Sequence, residues 1–300
     1  MDLNEVAVFV KVVQSGSFSR AASQLGMPNS TVSAKVSALE KRLGVTLLQR
    51  TTRKLHVTQA GQAFFERSLT ALQELQVAEE EVTLNQGEPQ GTLKITAPVG
   101  LGSSLLPEVI AKCLDKYPKL NIELVFADRV VDLISEGVDL AIRAGELSDS
   151  SLIAKKLGVG YFAPFASASY LKNHGTPSHP KELRAHVCLQ FSSMGKDKWE
   201  LINRNKSKVT VPLPGKIIAD DLNTIKDLAL MGEGIALLPT FLCQTETKRN
   251  KLVRILAEWK SDVRPISFVY PPHRFVAPKL QAFIEVATPI LKERLKDNEI

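Results

Sequence analysis

Cysteine is scarce in this chain. Three of its 300 residues, Cys113, Cys188 and Cys243, are odd in number, far apart and set among apolar neighbours. They exclude a disulfide framework, and buried free thiols are the expected state. The five histidines (His56, His174, His179, His186 and His273) show no zinc-ligand spacing, and His186-x-Cys188 reads as part of a strand core, so no metal site is expected. No apolar run approaches the roughly 18 residues of a membrane span. The apolar start Val6-Ala7-Val8-Phe9-Val10 is cut by Lys11 and followed by no small-residue cleavage site, which predicts a cytoplasmic protein. Gly100-x-Gly102 lacks the third glycine or the lysine-serine pair of a nucleotide loop. With no nucleophile and base, metal cluster or phosphate loop in view, neither an enzyme nor a cofactor is expected.

What the chain does have is an uneven spread of charge. Residues 1–65 hold eight basic side chains against three acidic ones, while the remainder carries 30 basic and 29 acidic. A basic head on a near-neutral body points to a head that meets a polyanion. The length suits about two domains of 100–200 residues, and 44% hydrophobic content is enough to give each a core.

Within the head, Leu3, Val6, Val10 and Val13 recur as one face of a helix that Gly16 ends. Ser17 or Ser19 can cap the next helix, whose inner face is Phe18, Ala21, Ala22 and Leu25. Ala22 is small where a second helix must cross, and Gly26 permits the left-handed turn that follows. A third helix is predicted from about Asn29 to Leu43, with Val32, Val36, Leu39 and Leu43 inward and Gly44 at its end. Its other face carries Asn29, Ser30, Thr31, Ser33, Ala34, Lys35 and Ser37, short or hydrogen-bonding side chains suited to base edges in a major groove. Val45 to Leu48 and Leu55 to Val57 then read as two short strands of a wing, with Arg50, Arg53 and Lys54 placed for phosphates or the minor groove.

Thr58 is expected to cap a long helix. Phe64, Ala71, Leu75, Ala78 and Val82 form one apolar row along it, and Phe65, Leu69 and Leu72 a second. Such a stripe needs a partner, either a second copy of the helix or the helix's own domain. A reader of DNA half-sites favours the dimer. Gly87-Glu88-Pro89-Gln90-Gly91 reads as a hinge.

Residues 3–65 resemble the N-terminal domain of LysR-type transcriptional regulators. The resemblance lies in Phe18, Ala21-Ala22, Leu25, Ser33, Leu39-Glu40, Leu43-Gly44, Leu47-Leu48, Arg50, Arg53, Thr58 and Ala60-Gly61. Gly91-Thr92-Leu93-Lys94-Ile95, Tyr117-Pro118, Asp139-Leu140-Ala141-Ile142-Arg143 and Gly232-Glu233-Gly234-Ile235 extend it in order through the body. It implies α/β architecture: an N-terminal all-α winged helix-turn-helix and a two-lobed, periplasmic-binding-protein-like effector domain. It also implies double-stranded DNA, a small-molecule effector, a homodimer or homotetramer, and RNA polymerase as partners. Three positions depart from the family. Pro28 has no side-chain oxygen, so Asn29 is expected to cap the third helix. Ala34 replaces a longer polar residue and can meet a thymine methyl. Leu48 replaces a common phenylalanine.

The organisation expected is residues 1–58 as DNA-binding domain, 59–88 as linker helix and 89–300 as effector domain. Lobe I takes about 91–161 and 268–300, lobe II about 162–267. In the body, strands at Leu93–Ala97, Ile122–Ala127 and Leu140–Arg143 alternate with helical patterns at Leu105–Tyr117 and Val130–Glu136, a βαβαβ unit with a parallel sheet. From Phe162 a second set follows: Val187–Phe191, a helix over Leu222–Met231, Ile235–Leu238 and Leu252–Leu256. Ile266–Tyr270 and a final helix, Ala277–Leu295, return to lobe I.

A ligand is expected at strand C-termini between the lobes. The candidates are Thr96, Pro98, Gly102, Ser103 and Ser104 as an anion site, Arg143 as a carboxylate partner, and Asp221 and Asn223 facing the same cleft. Ser103 and Asp221 can equally be helix caps and Arg143 part of an internal ion pair. A small carboxylated effector is the expectation. Two rivals fit parts of the chain. A cytosolic small-molecule-binding protein fits the body but not the basic head. A redox-responsive regulator of the same class needs two thiols to meet, and Cys188 and Cys243 are 55 residues apart.

Overall fold

The computed structural model describes residues 2–50, 55–84, 88–146, 152–213, 215–272 and 276–296. The head consists of α1 (Leu3–Ser15), α2 (Phe18–Leu25), α3 (Asn29–Leu43), the strands β1 (Leu48–Arg50) and β2 (Leu55–Val57), and the long helix α4 (Gln59–Leu84). Asp2 caps α1 by accepting from Asn4 N at 2.8 Å, and Ser17 caps α2 by accepting from Arg20 N at 3.4 Å. The third helix differs from expectation. Pro28 occupies its N-cap with no side-chain hydrogen bond, and Asn29 is the first helical residue. Proline's fixed φ, here −60°, sets the entry, and Asn29 Nδ2 instead donates to Ser19 Oγ on α2 at 3.3 Å. Gly26 adopts φ +61° in the turn between α2 and α3, a conformation that costs other residues about 1–2 kcal/mol.

Phe9, Val12, Ala21, Val32, Val36 and Leu39 are wholly buried and form the centre of the head. Leu3 and Leu43, expected to face inward, are 51% and 37% exposed, because each lies at a helix terminus beyond the crossing. Phe65 and Leu69 of α4 complete this core, and the Phe9 and Phe64 rings meet at 5.7 Å. The first wing strand begins at Leu48, three residues later than expected. Glu40 Oε1 holds Leu47 N and Leu48 N at 2.7 and 3.0 Å, so the chain from Gly44 to Leu47 is bound to the end of α3 before pairing starts. Leu48 then pairs with Val57 in an antiparallel ladder.

Lobe I is built from β3 (Gly91–Ala97), α5 (Val99–Lys116), β4 (Leu120–Phe126), β5 (Leu140–Ala144) and β6 (Ile153–Gly160). Lobe II follows with β7 (Phe162–Ser167), α6 (Ala168–His174), β8 (Cys188–Phe191), β9 (Lys198–Asn203), β10 (Lys208–Pro212), β11 (Ile217–Ala219), α7 (Leu222–Met231), β12 (Ile235–Pro239), α8 (Thr240–Lys248), β13 (Leu252–Arg254) and β14 (Trp259–Lys260). The strand β15 (Arg264–Tyr270) and helix α9 (Pro278–Lys296) return to lobe I. Its sheet runs β4-β3-β5-β15-β6, with β3 parallel to β4 and β5 and with β15 antiparallel to its neighbours. The sheet of lobe II runs β11-β8-β12-β7-β13, and a small sheet β10-β9-β14 lies beside it.

The helix expected over Val130–Glu136 is a single turn. Asp132 Oδ1 accepts from Ile134 N and Ser135 N, both at 3.1 Å, and Gly137 at φ +62° ends the turn at once. Only one of the two expected crossover helices of lobe I therefore exists. The chain crosses between lobes twice, and the crossings are joined: Phe162 N donates to Ser261 Oγ at 2.9 Å and Ser261 N to Phe162 O at 2.9 Å. One continuous apolar core runs through both lobes, with Leu105 and Leu106 of α5 and Phe283 of α9 in the same cluster as Phe165, Ile225 and Leu242 of lobe II. The head rests on lobe I, with Ile134 packed against the head core and α4 touching α9.

Candidate functional site: a recognition helix and a cavity beneath the linker

The recognition face is held from below. Val32, Val36 and Leu39 are fully buried, so the opposite side of α3 is turned outward by default. Asn29, Ser30, Ala34 and Ser37 are exposed there, and Thr31, Ser33 and Lys35 are half-buried. Near the start of the helix these groups and its N–H dipoles can meet base edges and a phosphate together. Arg42 is on the other end and is committed to Glu5 of α1 at 2.8 Å. Arg50 closes β1; Arg53 and Lys54, the expected wing contacts, lie outside the described residues.

The linker helix α4 starts against the wing. Thr58 Oγ1 accepts from Gly61 N at 2.9 Å and donates to Thr46 O at 2.8 Å, tying the helix start to the strand region. Of its two apolar rows, Phe65 and Leu69 are buried in the head, whereas Ala71, Leu75 and Ala78 are exposed on this chain, Leu75 at 47%.

The expected effector residues separate into three groups. Thr96 is fully buried and donates to Val125 O at 2.7 Å, while Ser104 Oγ donates back to Gly100 O within α5 at 2.6 Å and Ser103 Oγ does so at 3.5 Å. The α5 N-terminus already faces a carboxylate of this chain, because Asp128 Oδ1 accepts from Val99 N at 3.1 Å. Gly102 packs against the ring of Phe126, and a Cβ at Gly100 would lie 2.9 Å from Leu222 Cδ1 of lobe II, so the lobes approach closely here. Asp221 caps α7 by accepting from Thr224 N and Oγ1, both at 2.8 Å, and the Thr224 N–H lowers its pKa below the usual aspartate value. Asn223 is the second residue of that helix.

Pro98 and Arg143 form the third group. They line a cavity of about 740 Å³ at the carboxyl ends of the lobe I strands, and it contains neither Asp221 nor Asn223. Its other wall is the linker helix, through Gln62, Phe65, Glu66 and Thr70. No local sequence pattern signals this wall, since the contact joins α4 to lobe I residues such as Arg143 and Val269, far along the chain. Arg143 Nη1 donates to Arg129 O at 3.3 Å. Its Nη2 is buried and has no hydrogen-bond partner among the described residues. Burial, followed by the neighbouring Arg129 charge, pushes the Arg143 pKa down. Glu136 is already engaged by Arg129 in a two-pronged pair at 2.7 and 2.7 Å.

Among the described residues no group of histidine, cysteine and carboxylate side chains could hold a metal ion, and no helix is long and apolar enough to cross a membrane. Cys113, Cys188 and Cys243 are buried free thiols. Burial pushes Cys188 and Cys243 up to about 12, the reverse of what a reactive thiolate needs.

Comparison with known proteins matches these features along the chain. Residues 3–62 match the model of the bacterial regulatory helix-turn-helix proteins of the lysR family, and residues 86–291 match that of the LysR substrate binding domain. The HTH-type transcriptional regulator CrgA of Neisseria meningitidis serogroup C is 38% identical over 296 residues, covering 98% of this chain and 97% of that protein. The transcriptional activator AaeR of Escherichia coli K12 is 34% identical, covering 95% of this chain and 93% of its own length. Among solved structures, CrgA aligns with a TM-score of 0.63 at 38% identity over 96% of this chain and 98% of that one. The full-length Vibrio cholerae virulence activator AphB aligns with a TM-score of 0.64 at 31% identity, again over 96% and 98%. A helix-turn-helix whose α3 turns a polar face outward, a long helix α4 and a two-lobed α/β body thus occur here in the order of known regulators, and the chain belongs to the LysR-type transcriptional regulators, DNA-binding and effector-binding proteins rather than enzymes.

Proposed function

We propose that this protein works in the cytoplasm as a homodimer or homotetramer whose heads bind the two halves of an interrupted inverted repeat. Residues 1–58 read the DNA, 59–88 join two copies and 89–300 sense the effector. Asn29, Ser30, Thr31, Ser33, Ala34 and Lys35 meet the major groove, and Arg50, Arg53 and Lys54 hold the backbone. The observation that carries this reading is the pair of exposed faces on one head. The outer side of α3 is turned to solvent by its buried Val32-Val36-Leu39 side, and the row Ala71-Leu75-Ala78 of α4 is left uncovered by this chain. A second copy of α4 covers that row and fixes the distance between two recognition helices.

The effector is a small carboxylate held at the carboxyl ends of the body strands. Of the residues expected to hold it, Pro98 and Arg143 share one cavity and support this reading, whereas Thr96, Gly102, Ser103, Ser104, Asp221 and Asn223 lie outside that cavity. Effector binding shifts the angle between heads, and so DNA bending and contact with RNA polymerase. Footprinting of the full chain on DNA upstream of its own gene, over a salt series, tests the reading. A protected interrupted inverted repeat with steep salt dependence is expected. Sequence-blind binding at every salt concentration would remove the operator claim, and absence of binding at low salt would remove the head's role.

A further inference from the structure

The cavity beneath α4 supports a more specific statement about the effector, one that rests on the regulator reading above. Its walls come from two domains. Phe65 belongs to the head core and is 2% exposed, and Val131, Leu133 and Val269 of lobe I are 5%, 3% and 1% exposed. The apolar wall is bordered by charged side chains, among them Glu66, Asp128, Arg129, Asp132 and Glu146, and it includes Arg143, half-buried overall, whose Nη2 is buried and has no hydrogen-bond partner among the described residues. A guanidinium cannot shed its charge, and a buried N–H without an acceptor is costly. Asp128 and Glu136 stand near enough to favour its charge, but their hydrogen bonds go elsewhere, Asp128 to Val99 N and Glu136 to Arg129. The rim carboxylates Asp132, Glu66 and Glu146 make a site for a doubly charged anion unfavourable. Asp132 is held by two backbone N–H groups, and Glu66 and Glu146 are exposed to solvent, which weakens their pull on a cation.

We propose that this cavity is the site of a monocarboxylate with an apolar body, its carboxylate on Arg143 and its body between Phe65 of the linker helix and Val131, Leu133 and Val269 of lobe I. A ligand there touches the DNA-binding head and the sensing body at once. It governs the seating of α4 on lobe I directly, without requiring one lobe to close on the other. The seating is a physical contact already present, since Ile134 packs against the head core.

Titration calorimetry of the full chain with octanoate, octanamide and octylamine tests the assignment. Octanoate should bind at least tenfold more tightly than the other two. Arg143→Gln should remove that preference while leaving the weak octanamide binding in place, which also shows that the variant is folded. Thr70→Trp, which fills the cavity from the exposed side of α4, should weaken octanoate at least tenfold. Equal binding of the acid and the amide, or tighter binding of the amine, overturns the proposal. Octanoate binding that needs Arg143 but ignores Thr70→Trp places the ligand in lobe I alone, which overturns the interdomain site and leaves the effector reading standing. A footprint retained by both variants without ligand separates these results from failure of the DNA-binding head.

Discussion

The carboxylate of Glu40, near the end of α3, receives the backbone N–H of Leu47 at 2.7 Å and that of the next residue at 3.0 Å. One side chain thereby sets the angle at which the wing leaves the helix. Bonds to a charged acceptor contribute roughly 1.5–3 kcal/mol each, and a half-buried N–H left unpaired loses most of that. Glu40→Ala should therefore lower head stability by about 2–3 kcal/mol and weaken DNA binding, with Glu40→Gln in between. Urea unfolding and a binding titration check this. Wild-type stability in Glu40→Ala would mean that the wing is held by its own ladder.

Leu75 is half exposed on a helix whose neighbouring apolar row is buried in the head. If a second α4 covers it, burying it contributes roughly 1.5–3 kcal/mol in each copy. Leu75→Asp should then raise the dissociation constant of the oligomer more than tenfold. Analytical ultracentrifugation reads the change. An unaltered sedimentation profile would move the interface off this helix.

The proposed reading puts Arg53 on a phosphate. Arg53→Ala should weaken binding to all DNA sequences alike and reduce the slope of log K against log salt by about 0.9. A loss confined to one base pair would contradict a backbone role.

Thr31 and Lys35 stand on the outer side of α3, half-buried and one helical turn apart. Substituting either by alanine should change the set of sites selected from a random pool, with each lost base contact costing about 1–3 kcal/mol of discrimination. If both variants select the wild-type set, readout lies on other residues.

The thiols of Cys188 and Cys243 titrate at about 12 in the folded chain because burial penalises the thiolate. In the unfolded chain they titrate near 8.5. Their stabilisation is complete below that value and is lost as pH rises from there toward 12. The native protein should resist iodoacetamide at pH 8 and react after unfolding. The double variant Cys188→Ala, Cys243→Ala should flatten the alkaline fall in stability. Rapid native labelling of either residue would reopen the redox reading.

Local chemistry was enough to read the three helices of the head and the order of most body elements, but not the entry to α3 at Pro28 or the start of the wing at Leu48. The spacing of Val32, Val36 and Leu39 and the glycines at 26 and 44 determine α3 by short-range rules, and its bounds agree with the structure. The same holds for α7, opened by Asp221 and closed by Gly232. Over Val130–Glu136 helical periodicity misled, because Asp132 and Gly137 allow one turn and no more. The sheet β10-β9-β14 and the strand β6 escaped notice, since their partners are distant in the chain and their patterns short.

For the site, sequence alone determined which residue types are available: a basic head, an arginine at the end of β5 and a helix with two apolar rows. Tertiary structure decided which of them meet. It committed Asp128 to the start of α5, Asp221 to α7 and Glu136 to Arg129. It left Arg143 facing the linker helix, away from Asp221. The physical reason is that hydrogen-bond partners and burial depend on contacts between elements far apart in sequence. Periodicity and caps, by contrast, are settled within a few residues.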